Sequence, residues 1–296
     1  MQLFPWSHDT SAGFALRGWH TAPSGKPLLH FLHGNGFCTR TYEPLLAALS
    51  DDFDLWLCDL QGHGESEHGG HFVGWNRNAE LAYEAFQAGN GQFGTVPHLA
   101  CGHSFGGVLT SLIMAQHPQA FQAAVLLDPV LFPQSLIALR QSLSLIGVRR
   151  NPIADKARAR RHHWPDRDTA YGALHNRGMF RGWEEAAFRA HIEHALRDHA
   201  ELGVELKCRP SREAEVFDSM PQRLWASLRR VRTPTRVIYG DQSYPFVRQA
   251  VTRWAKLNAQ VSAESITGGH CFMQEDSSAA AQRVSAFLLD QSTEVA

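Results

Sequence analysis

The segment LACGHSFGG, residues 99–107, constrains the fold more than any other part of the chain. It runs from an apolar stretch with strand character through Gly102-His103-Ser104-Phe105-Gly106 into a helix-like pattern. A serine on so tight a strand-to-helix turn is held in strained backbone geometry. Glycine is needed on either side because a Cβ would collide with the crossing chain. The turn lifts the Ser104 hydroxyl above the end of a sheet, at the positive end of a helix. It presupposes strands linked by crossover helices, and the rest of the chain is read with that architecture in view.

Apolar runs with strand character occur at residues 27–33 (PLLHFLH), 53–59 (FDLWLCD), 97–102 (PHLACG), 121–128 (FQAAVLLD) and 235–240 (TRVIYG). The interiors of the last two are nearly continuous in Val, Leu and Ile, as expected of strands covered on both faces. Between them, residues 42–49, 75–87 and 107–117 repeat apolar side chains at spacings of three and four, which predicts crossover helices. The expected class is therefore α/β, with a mostly parallel central sheet flanked by helices. The rhythm breaks over residues 131–230. No convincing strand is visible there, and helical patterns fall at 135–146, 184–199 and 224–230. This predicts a core of residues 1–130 and 231–296 with a helical cap inserted at 131–230. An alternating strand at 261–266 and an amphipathic helix at 277–289 close the chain.

Composition narrows the function classes. With Lys+Arg 28 against Asp+Glu 29 the chain has no global field for a polyanion, so neither nucleic acid nor an anionic membrane surface is an expected partner. No apolar run approaches the ~20 residues of a membrane span, and the first residues lack a signal-peptide pattern. A cytoplasmic location is expected. Five scattered cysteines without a C-x-x-C pair suit reduced thiols and imply no structural metal. Phosphate-binding glycine motifs are absent, so no cofactor is expected. Oligomeric state is not legible.

The second chemically informative segment is FLHGNGF, residues 31–37, between a strand and a helix. A tetrahedral intermediate needs two main-chain N–H groups aimed at its oxyanion. Phe105, directly after the serine, offers one. Asn35 or Gly36, in a loop after an adjacent strand, offers the other.

The ordered set HGNG, DLQGHGES (residues 59–66), GHSFGG, a helical insertion, a strand–acid loop and GGH near the C-terminus resembles the α/β-hydrolase superfamily over most of the chain. The resemblance implies a serine esterase or lipase-like enzyme acting on a small, apolar acyl substrate. The same site would also suit C–C bond or thioester hydrolysis or acyl transfer, and some relatives with this fold bind ligands without catalysis. Within Thr267-Gly268-Gly269-His270, after the alternating strand and before the last helix, His270 is placed to act as general base; His103 and His33 are assigned structural roles.

The acid departs from the pattern that the resemblance implies. Its usual place, three residues past the glycine ending the strand after the cap, is Ser243 here, and a serine cannot stay ionised to steady an imidazolium. Asp128, at the end of the preceding strand, is favoured, because related enzymes including some haloalkane dehalogenases carry the acid there. Asp241 is the alternative. Asp128 precedes a proline and is expected to be extended. Dehalogenation itself is disfavoured, since those enzymes use an aspartate nucleophile where this chain has Ser104. Three further signals have bland expectations: the basic run Arg149, Arg150, Lys156, Arg158, Arg160, Arg161 a solvated face, His191 and His194 no metal pair, and the cap aromatics Trp164, Tyr171, Phe180, Trp183 and Phe188 either a pocket lining or packing.

Overall fold

A computed structural model describes residues 1–145 and 151–293. Arg149, Arg150 and the last residue of the helix expected at 135–146 lie outside the described residues. Eight strands form the main sheet: β1 (Phe4–Asp9), β2 (Ala15–His20), β3 (Leu28–Leu32), β4 (Asp54–Asp59), β5 (His98–His103), β6 (Ala123–Leu127), β10 (Thr235–Gly240) and β11 (Val261–Ile266). Their order is β1-β2-β4-β3-β5-β6-β10-β11. Every pairing from β4 to β11 is parallel, and β1 and β2 join antiparallel at one edge.

Strand alternation divides the core between the two faces of the sheet. From β3, Leu28 and Leu32 point to one cluster, and Leu29 and Phe31 to the other; from β6, Ala124 and Leu126 oppose Ala123, Val125 and Leu127. The first face is covered by α2 (Trp75–Gly89), α3 (Phe105–Gln116) and α10 (Pro245–Leu257), the second by α1 (Glu43–Leu49) and α12 (Ser277–Thr293). At roughly 1.5–3 kcal/mol for each large apolar side chain withdrawn from water, these layers dominate the stability of the core. Helix α3 differs from the amphipathic expectation: residues 105–115 are all buried, because the helix lies under the middle of the sheet.

The segment between β6 and β10 holds α4 (Gln134–Leu145), α5 (Pro152–Arg158), α6 (Arg167–Leu174), α7 (Glu185–His194), α8 (Pro210–Asp218) and α9 (Leu224–Leu228). It also contains strands, contrary to expectation. β7 (His163–Trp164), β8 (Leu196–His199) and β9 (Gly203–Leu206) make an antiparallel sheet in the order β7-β9-β8. The helix expected at 184–199 ends at His194, and the chain turns into a hairpin. Gly203 has φ +85, and a Cβ there would sit 2.0 Å from the Pro165 carbonyl, so only glycine fits this hairpin. The short α11 (Phe272–Glu275) follows β11. No helix among the described residues is long and apolar enough to cross a membrane.

Candidate active site

Ser104 sits between β5 and α3 with φ 53 and ψ −112, a conformation that costs a non-glycine residue free energy. The turn is packed against its neighbours. A Cβ on Gly102 would lie 2.6 Å from the Gly106 carbonyl, and one on Gly106 would lie 2.3 Å from that of Leu32. The Ser104 N–H donates to Leu127 O and that of Gly106 to His33 O, tying the turn to β6 and to the loop after β3.

The loop after β11 brings His270 over this serine. Its Nε2 is 2.9 Å from Ser104 Oγ and its Nδ1 2.6 Å from Asp128 Oδ2. Asp128 follows β6 and is completely buried. Its Oδ1 accepts the Gly240 N–H at 2.9 Å, and Oδ2 accepts the Ser243 hydroxyl as well as the imidazole. Ser243, standing where the resemblance implied an acid, thus supplies a hydrogen bond to a carboxylate that reaches across from the next strand. The backbone of Asp128 is not extended as expected before proline: it has φ 44, and its N–H donates to Ile238 O at 2.7 Å. This turn aims the carboxylate along the sheet end toward His270. Asp241 is exposed and does not meet His270; its Oδ1 accepts the Gly268 N–H at 3.1 Å, bracing the loop that carries the histidine.

His33 and His103 are both buried and hydrogen-bonded to groups other than Ser104. His33 donates from Nδ1 to Gly34 O and accepts the Leu60 N–H at Nε2, the neutral tautomer that its burial favours. Burial also pushes the His103 imidazole well below its ordinary range and the Tyr42 phenol above its own. The Tyr42 hydroxyl accepts the Gly34 N–H, donates to His103 Nδ1 at 2.6 Å, and leaves His103 Nε2–H to donate to the His270 carbonyl at 3.0 Å. This relay bolts the loop after β3 to the loop that carries His270. Sequence reasoning missed it, because Tyr42 reads simply as the start of a helix.

The two loop candidates for an oxyanion donor, Asn35 and Gly36, sit at the turn after β3, where Gly36 takes a positive φ of 82. The N–H groups of Asn35 and Phe105 have no acceptor among the described residues. The Asn35 side chain is fixed between His63 Nε2 and the Glu213 carbonyl, so this loop is held from both the core and the insertion.

A second feature that sequence reasoning missed is an aromatic arc. Ring neighbours run Phe105, Trp75, Phe132, Phe246, Tyr244 and back to His270, with centroids 4.6–6.3 Å apart. Five separate segments contribute, so no local pattern announced it. The insertion aromatics instead pack: Trp164, Phe180, Trp183 and Phe188 are buried in the core cluster on the α1 side. His191 is buried against Phe37 and Phe180, which pushes its imidazole down to about 3, whereas His194 meets Glu43 at 2.8 Å; the two do not converge.

Together, a strained serine on a strand-to-helix turn, an imidazole within hydrogen-bond reach of it and a buried carboxylate behind that imidazole make an arrangement suited to nucleophilic attack on a carbonyl. Compared with known protein families, residues 31–284 match the alpha/beta hydrolase family, and the chain belongs to it. Its architecture is shared with E-2-(acetamidomethylene)succinate hydrolase (18% identity, TM-score 0.77, covering 98% of this chain and 100% of that one). It is also shared with the peroxisomal alpha-beta-hydrolase Lpx1 of Saccharomyces cerevisiae (16%, 0.78, 98% and 88%) and the esterase RhEst1 from a Rhodococcus species (22%, 0.69, 97% and 98%). At these identities the likeness concerns the fold. A stretch of 122 residues is 28% identical to the uncharacterized protein YqjL of Bacillus subtilis (strain 168), covering 41% of this chain and about half, 47%, of that relative.

Proposed function

We propose that the protein is a cofactor-free serine hydrolase that cleaves a carboxylic ester or related acyl bond. The observation carrying this reading is the unbroken hydrogen-bond chain from Ser104 through His270 to Asp128. Ser104 Oγ attacks the substrate carbonyl while His270 Nε2 takes its proton. Asp128 steadies the imidazolium, and the tetrahedral oxyanion is held by the N–H group of Phe105 together with that of Asn35 or Gly36. His270 returns the proton to the leaving group, and the acyl group stays on Ser104. A water deprotonated by His270 then attacks the acyl-enzyme, and its collapse releases the acid and restores Ser104.

The substrate is a small molecule with an apolar acyl group, a reading supported by the rings of Tyr244 and Phe246 next to His270, and the segment at residues 131–230 serves as a cap over a core of residues 1–130 and 231–296. The reaction takes place in the cytoplasm. Ester, thioester and C–C substrates share the same first step, and relatives of the fold include an esterase and a thioesterase domain. Product analysis with alcohol and thiol acceptors separates hydrolysis from acyl transfer. The decisive experiment is intact mass after incubation with a small fluorophosphonate. One adduct on the wild type and none on Ser104→Ala is the expected result; a folded wild type that takes up no phosphonate would overturn the reading in favour of a ligand-binding protein.

A further inference from the structure

The small sheet of the insertion has two unlike faces. Trp164, Leu196, Val204 and Leu206 are buried on one side. On the other, His163 in β7 stands opposite Glu205 in β9, Glu205 stands opposite Arg197 in β8, and His199 stands opposite Gly203. Gly203 itself contributes no side chain, and the Pro165 backbone packs against it, so on β9 Glu205 is the one side chain of this face. Donor atoms of His163, His199 and Glu205 all lie within 4.8 Å of one another. We propose that these three side chains form a binding site for a divalent transition-metal ion, with zinc the best fit, each of the three strands contributing one ligand.

Two imidazoles and one carboxylate are the donor set of borderline ions, and too poor in oxygen for calcium or magnesium. Zinc bonds of about 2.0–2.1 Å in tetrahedral geometry separate ligand atoms by roughly 3.3 Å. His163 Nε2 donates to Glu205 Oε2 at 3.1 Å, which is close to the spacing of two zinc ligands, and the ion would take the place of the shared proton. Arg197 grips the other carboxylate oxygen, with Nε 2.7 Å from Oε1, and so leaves Oε2 facing the histidines. A ligand carboxylate is commonly oriented by such an outer hydrogen bond. Two features moderate the affinity. The Arg197 charge opposes a dication, and His199 Nδ1 accepts the N–H groups of Glu201 and Leu202 at 3.2 Å, which places a proton on Nε2 that the ion must displace. Both features weaken binding relative to a site without them. The ion would staple three strands that now share few backbone bonds, β7 pairing through only two residues, His163 and Trp164. The site lies outside the proposed chemistry at Ser104.

The test is a calorimetric titration of untagged protein with zinc, and separately with magnesium, on the wild type, His163→Gln, His199→Ala and Glu205→Gln. Wild-type protein is expected to bind one zinc through this site and to gain thermal stability on binding, with no response to magnesium. Each histidine substitution is expected to weaken that binding about tenfold or more and to abolish the stabilisation. Fluorophosphonate labelling of Ser104 and an unchanged circular dichroism spectrum show that the variants fold. Wild type that takes up no zinc, or both histidine variants retaining wild-type affinity and stabilisation, would overturn the proposal.

Discussion

Replacing Asp128 by asparagine isolates the charge behind the imidazole. The substitution keeps size and shape, and asparagine tolerates the positive φ of 44 at this position. Two things are lost. The first is the electrostatic support of the imidazolium formed as Ser104 attacks. Taking a charge separation of about 4 Å and an effective dielectric of about 20, that support is worth about 4 kcal/mol, or roughly a thousandfold in rate. The second is geometric. Asp128 accepts three donors, the His270 Nδ1–H, the Gly240 N–H and the Ser243 hydroxyl. An amide offers one oxygen to them, and its NH2 selects the wrong imidazole tautomer. A total loss of about 10^3–10^4 in kcat/KM is expected. The assay is steady-state hydrolysis of whichever p-nitrophenyl ester the wild type turns over, checked by the rate of phosphonylation. Asp241→Asn, measured alongside, removes only a brace on the Gly268 amide and is expected to cost less than about tenfold. A fall of less than about tenfold for Asp128→Asn, with a larger one for Asp241→Asn, would refute the assignment of the acid.

Ser243→Ala removes one of the donors to Asp128 Oδ2 and leaves His270 bonded to it. We expect kcat to fall about 5- to 30-fold with KM little changed, and an equal fall in both substitution and control at Ser262 would show that the hydrogen bond is irrelevant. His30, completely buried between Phe86 and Phe121, has no partner for either ring nitrogen, and burial pushes it down to about 3. The unfolded chain protonates this histidine near 6.5 while the native one stays neutral, so native stability is lost as pH falls between those values, by about 2 kcal/mol at pH 5. His30→Phe should therefore raise Tm more at pH 5 than at pH 8; equal shifts at both would refute the linkage. Gly106→Ala places a Cβ 2.3 Å from the Leu32 carbonyl and should cost about 3 kcal/mol, read as a lowered Tm.

The parts of this molecule legible in the sequence are those whose chemistry is local. Gly102, Ser104 and Gly106 are spaced by the turn they make, and the Val- and Leu-rich run before Asp128 marks a central strand because both faces are covered. The parts that were not legible depend on distant segments. Strand β1 carries Pro5 and Trp6 with most of its side chains exposed, so it shows no buried face to read. β7 is too short for any period, and β8 was absorbed into the helical pattern of α7. That Asp128 rather than Asp241 meets His270 depends on the side-by-side placement of β6 and β10, which lets one strand's carboxylate reach the other strand's loop. No spacing along the chain encodes that adjacency.

The relay from Gly34 through Tyr42 and His103 to the His270 carbonyl lies wholly within the sheet-bearing part of the chain. The relay registers the loop offering Asn35 to the loop carrying His270 from within the sheet-bearing part, while Glu213 and Glu184 of residues 131–230 clamp the Asn35 side chain and the turn after His270. An exchange of the segment between β6 and β10 would therefore keep the distances around Ser104 only if the replacement reproduced those two clamps.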